Sequence, residues 1–274
     1  MLQLAHHNPS RIYIGSRNAE KAKEAIDSIQ SALQPSPIDI RFIPLDLASF
    51  ASIRNAAKKF TEDSDRLDLL ILNSGIMGTE ATTTQEGFEI QFGTNHVGHF
   101  LLTKLLLPTL EKTAATRKNT DVRIVVVASL ANVLAPSLET MTSTKALLEA
   151  STWTRYGASK AANILFAAEL ARRYPNILSV SIHPGMVDSD LYDANPAARA
   201  GRGMLGVIGR NARSGALNQL WAAGVKKESL TNGAYYTPVG VRATRNRFPT
   251  DEEEAKKLWE WTDEQVAKKL KVSS

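Results

Sequence analysis

The chain has 274 residues, which is enough for one large domain with a buried core. Hydrophobic residues make up 43% and charged residues 22%, a composition that excludes an intrinsically disordered chain. The absence of cysteine excludes disulfides, thiolate metal sites and cysteine nucleophiles. The net charge of +5 is spread along the chain, which favours an ordinary solvated surface over a nucleic-acid interface.

No signal for membrane insertion or export is present. Apolar runs fall short of the roughly 18 residues that a membrane-spanning helix needs. The first ten residues also lack the basic start and apolar stretch of a signal peptide. We therefore predict a cytoplasmic protein without a membrane partner.

Apolar strand-like runs alternate with segments of helical periodicity along the whole chain. Short apolar strands between helices are typical of a parallel sheet with helices on both faces. Neither an internal repeat nor a linker divides the chain, so we predict one doubly wound α/β domain over residues 1–274. Strands are predicted at 11–15, 39–45, 68–72, 122–128, 177–182 and 234–238. Helices are predicted at 19–33 after an Asn18 cap, 50–62 after a Ser49 cap, 86–114 with a bend or break at Pro108, 154–174, 213–224 and 251–270.

The spacing of one tyrosine and one lysine indicates acid/base catalysis. Tyr156 and Lys160 are spaced i and i+4 in a predicted helix, so they share a face. An adjacent ammonium favours the phenolate and would bring the tyrosine into the range of acid/base catalysis. Ser129 ends the strongest predicted strand, where parallel sheets place their sites. Taken alone, the Tyr156–Lys160 spacing is also typical of an exposed pair on a helix surface. Ser129, taken alone, is equally compatible with a residue that caps a turn.

Five motifs occur in one order along the chain: Asn73-Ser-Gly75, Asn95-His-Val-Gly-His99, Ser129, Tyr156 to Lys160, and His183-Pro-Gly-Met-Val-Asp-Ser189. In this order and spacing they resemble the short-chain dehydrogenase/reductase superfamily, and the retinol-dehydrogenase-like branch with its fungal relatives is the most similar. The resemblance covers nearly the whole chain. It implies that Tyr156 is the catalytic acid/base and that Lys160 lowers the pKa of this tyrosine and holds the nicotinamide ribose. It also implies that Ser129 orients the substrate and that Asn95 holds a water of the proton relay.

The resemblance also implies a set of cofactor contacts. Asp46 matches the acidic residue near the adenine amine, and Asn73 matches the second asparagine of the family's Asn-Asn-Ala-Gly segment. Leu72 and Ser74 depart from that segment. The remaining contacts, expected against the nicotinamide, are Pro184, Gly185, Val187 and Ser189, the last in place of a threonine.

The cofactor is expected to be NADP, with NAD less favoured. NAD-binding members carry an acidic residue after the second family strand, which corresponds here to residues 11–15. This chain has Ser16 and Arg17 there, and a cation beside a hydroxyl suits a 2′-phosphate. A solvated arginine at a helix start is the alternative interpretation.

The family's first strand and its glycine-rich turn have no counterpart in this sequence. Residues 1–7 resemble the end of the helix that follows that turn, and the strand missing before it would be central in the sheet. The single Gly-x-Gly-x-x-Gly, at 201–206, follows no strand and is interpreted as a flexible loop. Either the N-terminus is truncated by an internal start, which the downstream set of Asn95, Ser129, Tyr156 and Lys160 favours, or a short form has lost tight cofactor binding.

The leading hypothesis is an NADP-dependent oxidoreductase that interconverts an alcohol and a carbonyl of a small-molecule substrate by hydride transfer. The alternative is a non-catalytic scaffold or regulator that binds dinucleotides weakly, and nucleic-acid binding is a third interpretation. The substrate loop is placed at about 190–215, and a homodimer that pairs through helices is expected from the resemblance. The five scattered histidines favour packing over a metal site; of these, His96 and His99 are three residues apart on one helix.

Overall fold

In a computed structural model of the chain, the structure describes residues 1–33, 37–116, 120–185 and 212–272. Seven strands form within these residues, and six of them coincide with the predicted strands to within a few residues. The seventh is a two-residue edge strand that the sequence did not predict. The strands are β1 (Ile12–Ser16), β2 (Ile40–Pro44), β3 (Leu69–Leu72), β4 (Arg123–Val127), β5 (Leu178–Ile182), β6 (Tyr235–Thr237) and β7 (Val241–Arg242).

The strands form two separate sheets in the described part of the chain. One sheet pairs β1 with β2 in parallel, and the other has the order β3-β4-β5-β6-β7. In the larger sheet β3 to β6 run parallel and β7 is antiparallel. Among the described residues, β1 therefore pairs on one edge only, and so does β3. This is the gap expected where the sequence provides no central strand.

Helices alternate with these strands, as a doubly wound fold requires. The short helices after β4 were not predicted, and the helix predicted at 213–224 is divided at Ala216. The helices are α1 (Leu2–Ala5), α2 (Ala19–Ala32), α3 (Phe50–Asp63), α4 (Ile90–Phe92), a π-helix (Gly93–Val97), α5 (Gly98–Ala115), a 3₁₀ turn (Leu130–Leu134), α6 (Leu138–Met141), α7 (Thr144–Glu149), α8 (Thr152–Arg173), α9 (Ala212–Gly215), α10 (Leu217–Gly224) and α11 (Glu252–Val272). Two further 3₁₀ turns are Lys227–Ser229 and Phe248–Thr250.

The predicted caps are present. The Asn18 side chain accepts a hydrogen bond from the Lys21 amide at 2.9 Å, and Ser49 accepts one from Ser52 at 3.4 Å. Each satisfies an amide that the first helical turn leaves unpaired. Local sequence therefore fixes where α2 and α3 begin.

The helix predicted at 86–114 needs correction at two points. It begins at Ile90, because residue Glu89 forms an isolated bridge with Thr83 and caps the helix instead of extending it. Pro108 does not break α5, which continues to Ala115. Pro108 faces solvent, whereas Leu107 and Leu110 beside it are buried. Burial of these leucines outweighs the roughly 3 kcal/mol that an interior proline costs.

The two faces of the larger sheet carry different cores. Along β4, Ile124 and Val126 pack on the side of α5 and α8, while Val125 and Val127 pack on the side of α10. This strand is buried on both faces, which explains its uninterrupted apolar sequence. The sheet is therefore a shared wall between two layers of helices.

Helix α8 is buried by the surrounding elements of the chain along most of its length. Every residue of α8 from Arg155 to Ala171 is buried. The C-terminal helix α11 packs against it, and the Trp259 ring lies 5.7 Å from the ring of Phe166 on α8. Trp259 and the partly buried Trp261 both pack on the main core. No helix among the described residues is long and apolar enough to cross a membrane.

Candidate active site

Helix α8 brings Tyr156 and Lys160 together in a buried setting. Both side chains are buried, and the Lys160 Nζ atom lies 5.5 Å from the centre of the Tyr156 ring. Lys160 donates a hydrogen bond to the Val127 carbonyl at 3.2 Å, at the end of β4. Burial lowers the pKa of Lys160 from 10.5 to about 8, since a charged ammonium loses its hydration there. The ammonium is therefore the main form at neutral pH, and the exposed surface pair considered from the sequence is excluded.

Ser129 follows β4 and begins the 3₁₀ turn beside α8. Its Oγ accepts a hydrogen bond from the Ala131 amide at 3.2 Å, and its carbonyl accepts one from the Asn132 side chain at 2.6 Å. The turn lies directly against the helix at Gly157, where a Cβ atom would be 2.7 Å from the Ala131 carbonyl oxygen. Glycine at this position thus allows the Ser129 segment to contact the turn of α8 that carries Tyr156.

Asn95 lies in the π-helix, and its side-chain amide is held at three points. Its Oδ1 accepts from the Ile76 amide at 2.8 Å, and its Nδ2 donates to the Ile76 carbonyl at 2.9 Å. The same Nδ2 donates to the Ser159 hydroxyl at 3.0 Å. The amide therefore connects the loop after β3 to helix α8 beside Lys160. The expected role of Asn95 in holding a water stays a prediction.

Three histidines lie near this centre, and each is buried. Burial lowers the pKa of His96 to about 3 and those of His99 and His183 to about 4. His96 contacts the Thr262 hydroxyl on α11 through Nε2 at 3.1 Å, and His99 contacts the Asn95 carbonyl through Nδ1 at 2.9 Å. The interpretation of His96 and His99 as packed, hydrogen-bonded residues is confirmed. In the described part of the chain, no three acidic or histidine side chains form a group suited to a metal ion.

A buried ion pair supports the N-terminal turn of α8. The Arg155 Nε atom lies 3.1 Å from a carboxylate oxygen of Glu89, and both side chains are almost fully buried. Arg155 also donates to the carbonyls of Ala150 and Thr79 at 2.9 and 2.7 Å. These bonds fix the residue before Tyr156 to the loop that follows β3.

The predicted cofactor residues follow the ends of successive strands. Arg17 is exposed just after β1, and the half-buried Asp46 follows β2, where its Oδ1 accepts from the Ala48 amide at 3.0 Å. Asn73 is exposed after β3. The half-buried Pro184 and Gly185 follow β5, and Gly185 has a φ of +90°, which favours glycine. Val187, Ser189, the 201–206 glycine run and most of the predicted substrate loop lie outside the described residues.

Several residues of this centre had no sequence signal. Ser159 and Ile76 contact Asn95 from 64 and 19 residues away. The Asn132 side chain accepts a hydrogen bond from Asn246 at 2.7 Å, across 114 residues. The only sequence signal for the contacts of Asn95 was its place in the Asn95-His-Val-Gly-His99 motif.

Comparison with known proteins places this geometry in a family. The family model described as short chain dehydrogenase matches residues 2–200. An uncharacterised oxidoreductase of Schizosaccharomyces pombe is 36% identical over 262 residues, which cover 91% of this chain and 76% of the relative. Mouse retinol dehydrogenase 14 is 37% identical over 193 residues, which cover 66% of this chain and 55% of the relative.

A solved structure shows the same fold. The complex of RhlG with NADP from Pseudomonas aeruginosa superposes with a TM-score of 0.61 and 26% identity, covering 84% of this chain and 85% of that one. Both sequence relatives are named as oxidoreductases or dehydrogenases, and members of the family act on small molecules with NAD(P). The chain belongs to the short-chain dehydrogenase/reductase family of oxidoreductases, and it is similar to the retinol-dehydrogenase branch.

Proposed function

We propose that this chain is an NADP-dependent oxidoreductase that interconverts an alcohol and a carbonyl, with Tyr156 as the acid/base. The observation that carries the proposal is the buried ammonium of Lys160 beside the Tyr156 ring. A positive charge at this position stabilises the tyrosinate more than the neutral phenol, so it eases transfer of the phenolic proton.

The residues at the nicotinamide end of the site fit a dinucleotide. A Cβ atom at Gly75 would lie 3.4 Å from the Lys160 Nζ and 3.1 Å from Asn95 Oδ1, so glycine keeps the loop close to both groups. Lys160 has three protons and one described acceptor, the Val127 carbonyl, which leaves protons for ribose hydroxyls. Pro184 and Gly185 would contact the nicotinamide from the end of β5, and Val187 and Ser189 are proposed as further contacts.

The fit differs at the pyrophosphate. Residues 1–11 contain no glycine, and the structure there is the single helical turn α1. Residues 1–11 therefore do not include the strand, glycine turn and helix N-terminus that bind a pyrophosphate in this family. The second candidate function is a scaffold or regulator with weak dinucleotide binding, and the experiment below separates the two.

The proposed chemistry assigns one task to each side chain. The bound nicotinamide supplies or accepts the hydride. In the direction of carbonyl reduction, the Tyr156 hydroxyl donates its proton to the carbonyl oxygen, and in alcohol oxidation the tyrosinate accepts the hydroxyl proton. The Ser129 hydroxyl, at the end of β4, orients the same oxygen. Asn95 and Lys160 keep Tyr156 in its reactive setting.

Arg17 supports NADP over NAD. Its guanidinium follows β1, the strand end at which dinucleotide-binding folds contact the adenine ribose. A guanidinium forms bidentate hydrogen bonds and an ion pair with a 2′-phosphate, whereas a neutral 2′-hydroxyl offers no negative charge to pair with it. The similar RhlG structure contains NADP. Asp46 is proposed to lie near the adenine amine, and Asn73 is proposed as a further contact of the cofactor.

The test combines NADPH binding with the variant Tyr156→Phe. We expect the chain to bind NADPH, as measured by nicotinamide fluorescence and by a rise in melting temperature. Tyr156→Phe should bind NADPH equally and lose about 10²- to 10⁴-fold in kcat in a screen of carbonyl substrates. The control is Tyr174→Phe, at the far end of α8, which should keep its rate.

Two results would contradict the proposal. A folded chain that shows no NADPH binding would support the scaffold. An unchanged rate in Tyr156→Phe would exclude the acid/base role.

A further inference from the structure

The helix that carries Asn95 has an irregular turn beside the candidate site. Residues Gly93–Val97 form a π-helix, in which the Gly98 amide bonds to the carbonyl of Gly93, five residues earlier. Single turns of this kind are often found at functional sites. The turn contains Asn95, and the regular helix α5 begins immediately after it.

The Asn95 carbonyl is held by an imidazole. His99 Nδ1 lies 2.9 Å from the Asn95 carbonyl oxygen, and both residues are buried. A carbonyl oxygen only accepts hydrogen bonds, so the Nδ1 atom must carry the proton. This contact fixes the tautomer of His99, with its lone pair on Nε2.

The side-chain amide of Asn95 is hydrogen-bonded to the helix that carries Tyr156 and Lys160. Its amide bonds to Ile76 on the loop after β3 and to the Ser159 hydroxyl on α8. Ser159 directly precedes Lys160, and the Ser159 hydroxyl donates to the Tyr156 carbonyl at 2.8 Å. A rotation of the Asn95 peptide would therefore be transmitted to the helical turn that carries the Tyr156 and Lys160 side chains.

The charge state of His99 suits a fixed hydrogen-bond donor. Its pKa is lowered to about 4, mainly by burial, with a smaller contribution from the positive charge of Lys160, while the hydrogen bond to the Asn95 carbonyl opposes the shift. Among the described residues, the titratable groups that interact electrostatically with His99 are Lys160 on α8 and His96 in the π-helix. His99 is thus neutral throughout the range in which Lys160, with its pKa of about 8, changes charge.

We propose that His99 is a positioning residue of the candidate active site: its Nδ1–H holds the Asn95 carbonyl, and through the Asn95 amide it sets the position of Lys160 and Tyr156. The proposal rests on the function assigned above for its kinetic consequence. Its structural content, the tautomer and the coupling to Lys160, is independent of that function.

His96 provides a matched control. It is also buried and hydrogen-bonded, but its Nε2 contacts Thr262 on α11 instead of the Asn95 carbonyl. Replacing His96 removes a comparable volume and one hydrogen bond without touching the Asn95 carbonyl. A purely structural role for His99 predicts the same effects for the two substitutions.

The kinetic test uses His99→Leu, His99→Asn and His96→Leu. Leucine removes the donor, whereas the asparagine Nδ2 retains a donor near the position of Nδ1. We expect His99→Leu to lower kcat about tenfold or more, with KM within about threefold, because a small displacement of reacting groups costs rate more than binding. His99→Asn should recover most of the rate, and His96→Leu should lower only the melting temperature. Equal losses of kcat in His99→Leu and His96→Leu would overturn the proposal.

A second test does not require turnover. Nitrogen-15 NMR of the imidazole rings should show His99 as the neutral Nδ1–H tautomer from about pH 6 to 9, and the Nε2–H tautomer would overturn the proposal. The titration midpoint of Lys160, followed by NMR of its side chain, should fall in His99→Leu more than in His96→Leu. An identical midpoint in both variants would also overturn it.

The two tests separate the possible failures. If the proposed function fails, no variant has turnover but the tautomer and the Lys160 titration still decide the role of His99. If only the His99 proposal fails, Tyr156→Phe still abolishes turnover.

Discussion

Replacement of Lys160 by methionine should abolish activity and stabilise the fold. The ammonium is buried with a pKa lowered from 10.5 to about 8, so the folded state holds this charge at a cost. At about 1.4 kcal/mol for each pKa unit, that fall corresponds to a cost of about 3 kcal/mol near pH 7. The variant also loses the hydrogen bond to the Val127 carbonyl, which contributes about 1 kcal/mol. This carbonyl keeps a second donor, Asn163, at 3.1 Å.

The net expectation for Lys160→Met is a gain of about 2 kcal/mol in the free energy of unfolding at pH 7. For a chain of this size that corresponds to a rise of about 3–4 °C in Tm. Methionine has a similar length and suits the buried position, so little new strain is expected. The assay is urea denaturation at pH 7, with turnover and NADPH binding measured on the same preparations.

The pH dependence of the stability difference between wild type and Lys160→Met tests whether the buried charge of Lys160 causes that difference. Below about pH 8 the charge is present in both states and the wild-type penalty is complete. Between pH 8 and about 10.5 the folded protein has released the proton and the unfolded chain still holds it, so wild-type stability rises relative to the variant. The gap between the two proteins should close across this window. A variant that is less stable than wild type at pH 7, or a gap that stays constant to pH 10.5, would refute the reasoning.

Three further substitutions test other parts of the molecule. Gly157→Ala places a methyl group 2.7 Å from the Ala131 carbonyl oxygen, so it should lower the free energy of unfolding by about 1–3 kcal/mol and should also lower activity. The control Gly224→Ala, whose methyl group would have no atom within 4 Å, should change stability by under about 0.5 kcal/mol. Equal thermal shifts in the two variants would contradict this expectation. Arg17→Glu should weaken NADPH binding about tenfold or more relative to NADH in fluorescence titrations, and an unchanged ratio would exclude the 2′-phosphate contact. Phe100→Ala removes a fully buried ring from the contact with α11 and should cost about 3–5 kcal/mol in urea unfolding; a loss under about 1 kcal/mol would show that this aromatic cluster does not support the core.

The strands were predictable because their signal is local. The run at 122–128 contains β-branched residues on both faces, and the structure places β4 at Arg123–Val127 with every residue buried. The caps of α2 and α3 were equally readable, because a cap contacts an amide only two or three residues away. The break considered at Pro108 does not occur, because the cost of a proline is local whereas the compensating burial of Leu107 and Leu110 comes from tertiary packing.

The candidate site was predictable in part. The i, i+4 spacing of Tyr156 and Lys160 and the position of Ser129 after a strand came from the sequence and its resemblance to a family. The burial of Lys160, which lowers its pKa, depends on the layers around α8 and could not be read from spacing. The packing of Trp259 and Trp261 of α11 on the main core depends on the same layers.

The sequence by itself determined the order of the strands and helices, the caps and the chemistry-bearing residue types, since these depend on neighbours within a few positions. Only the tertiary structure decided which polar groups share a site. Asn95 forms hydrogen bonds with Ile76 and Ser159 because the π-helix, the loop after β3 and the buried helix α8 pack together at this point. Such bonds require the two atoms to lie about 3 Å apart. Contacts between residues 19 and 64 positions apart are set by the packing of whole elements, and no local pattern along the chain encodes them.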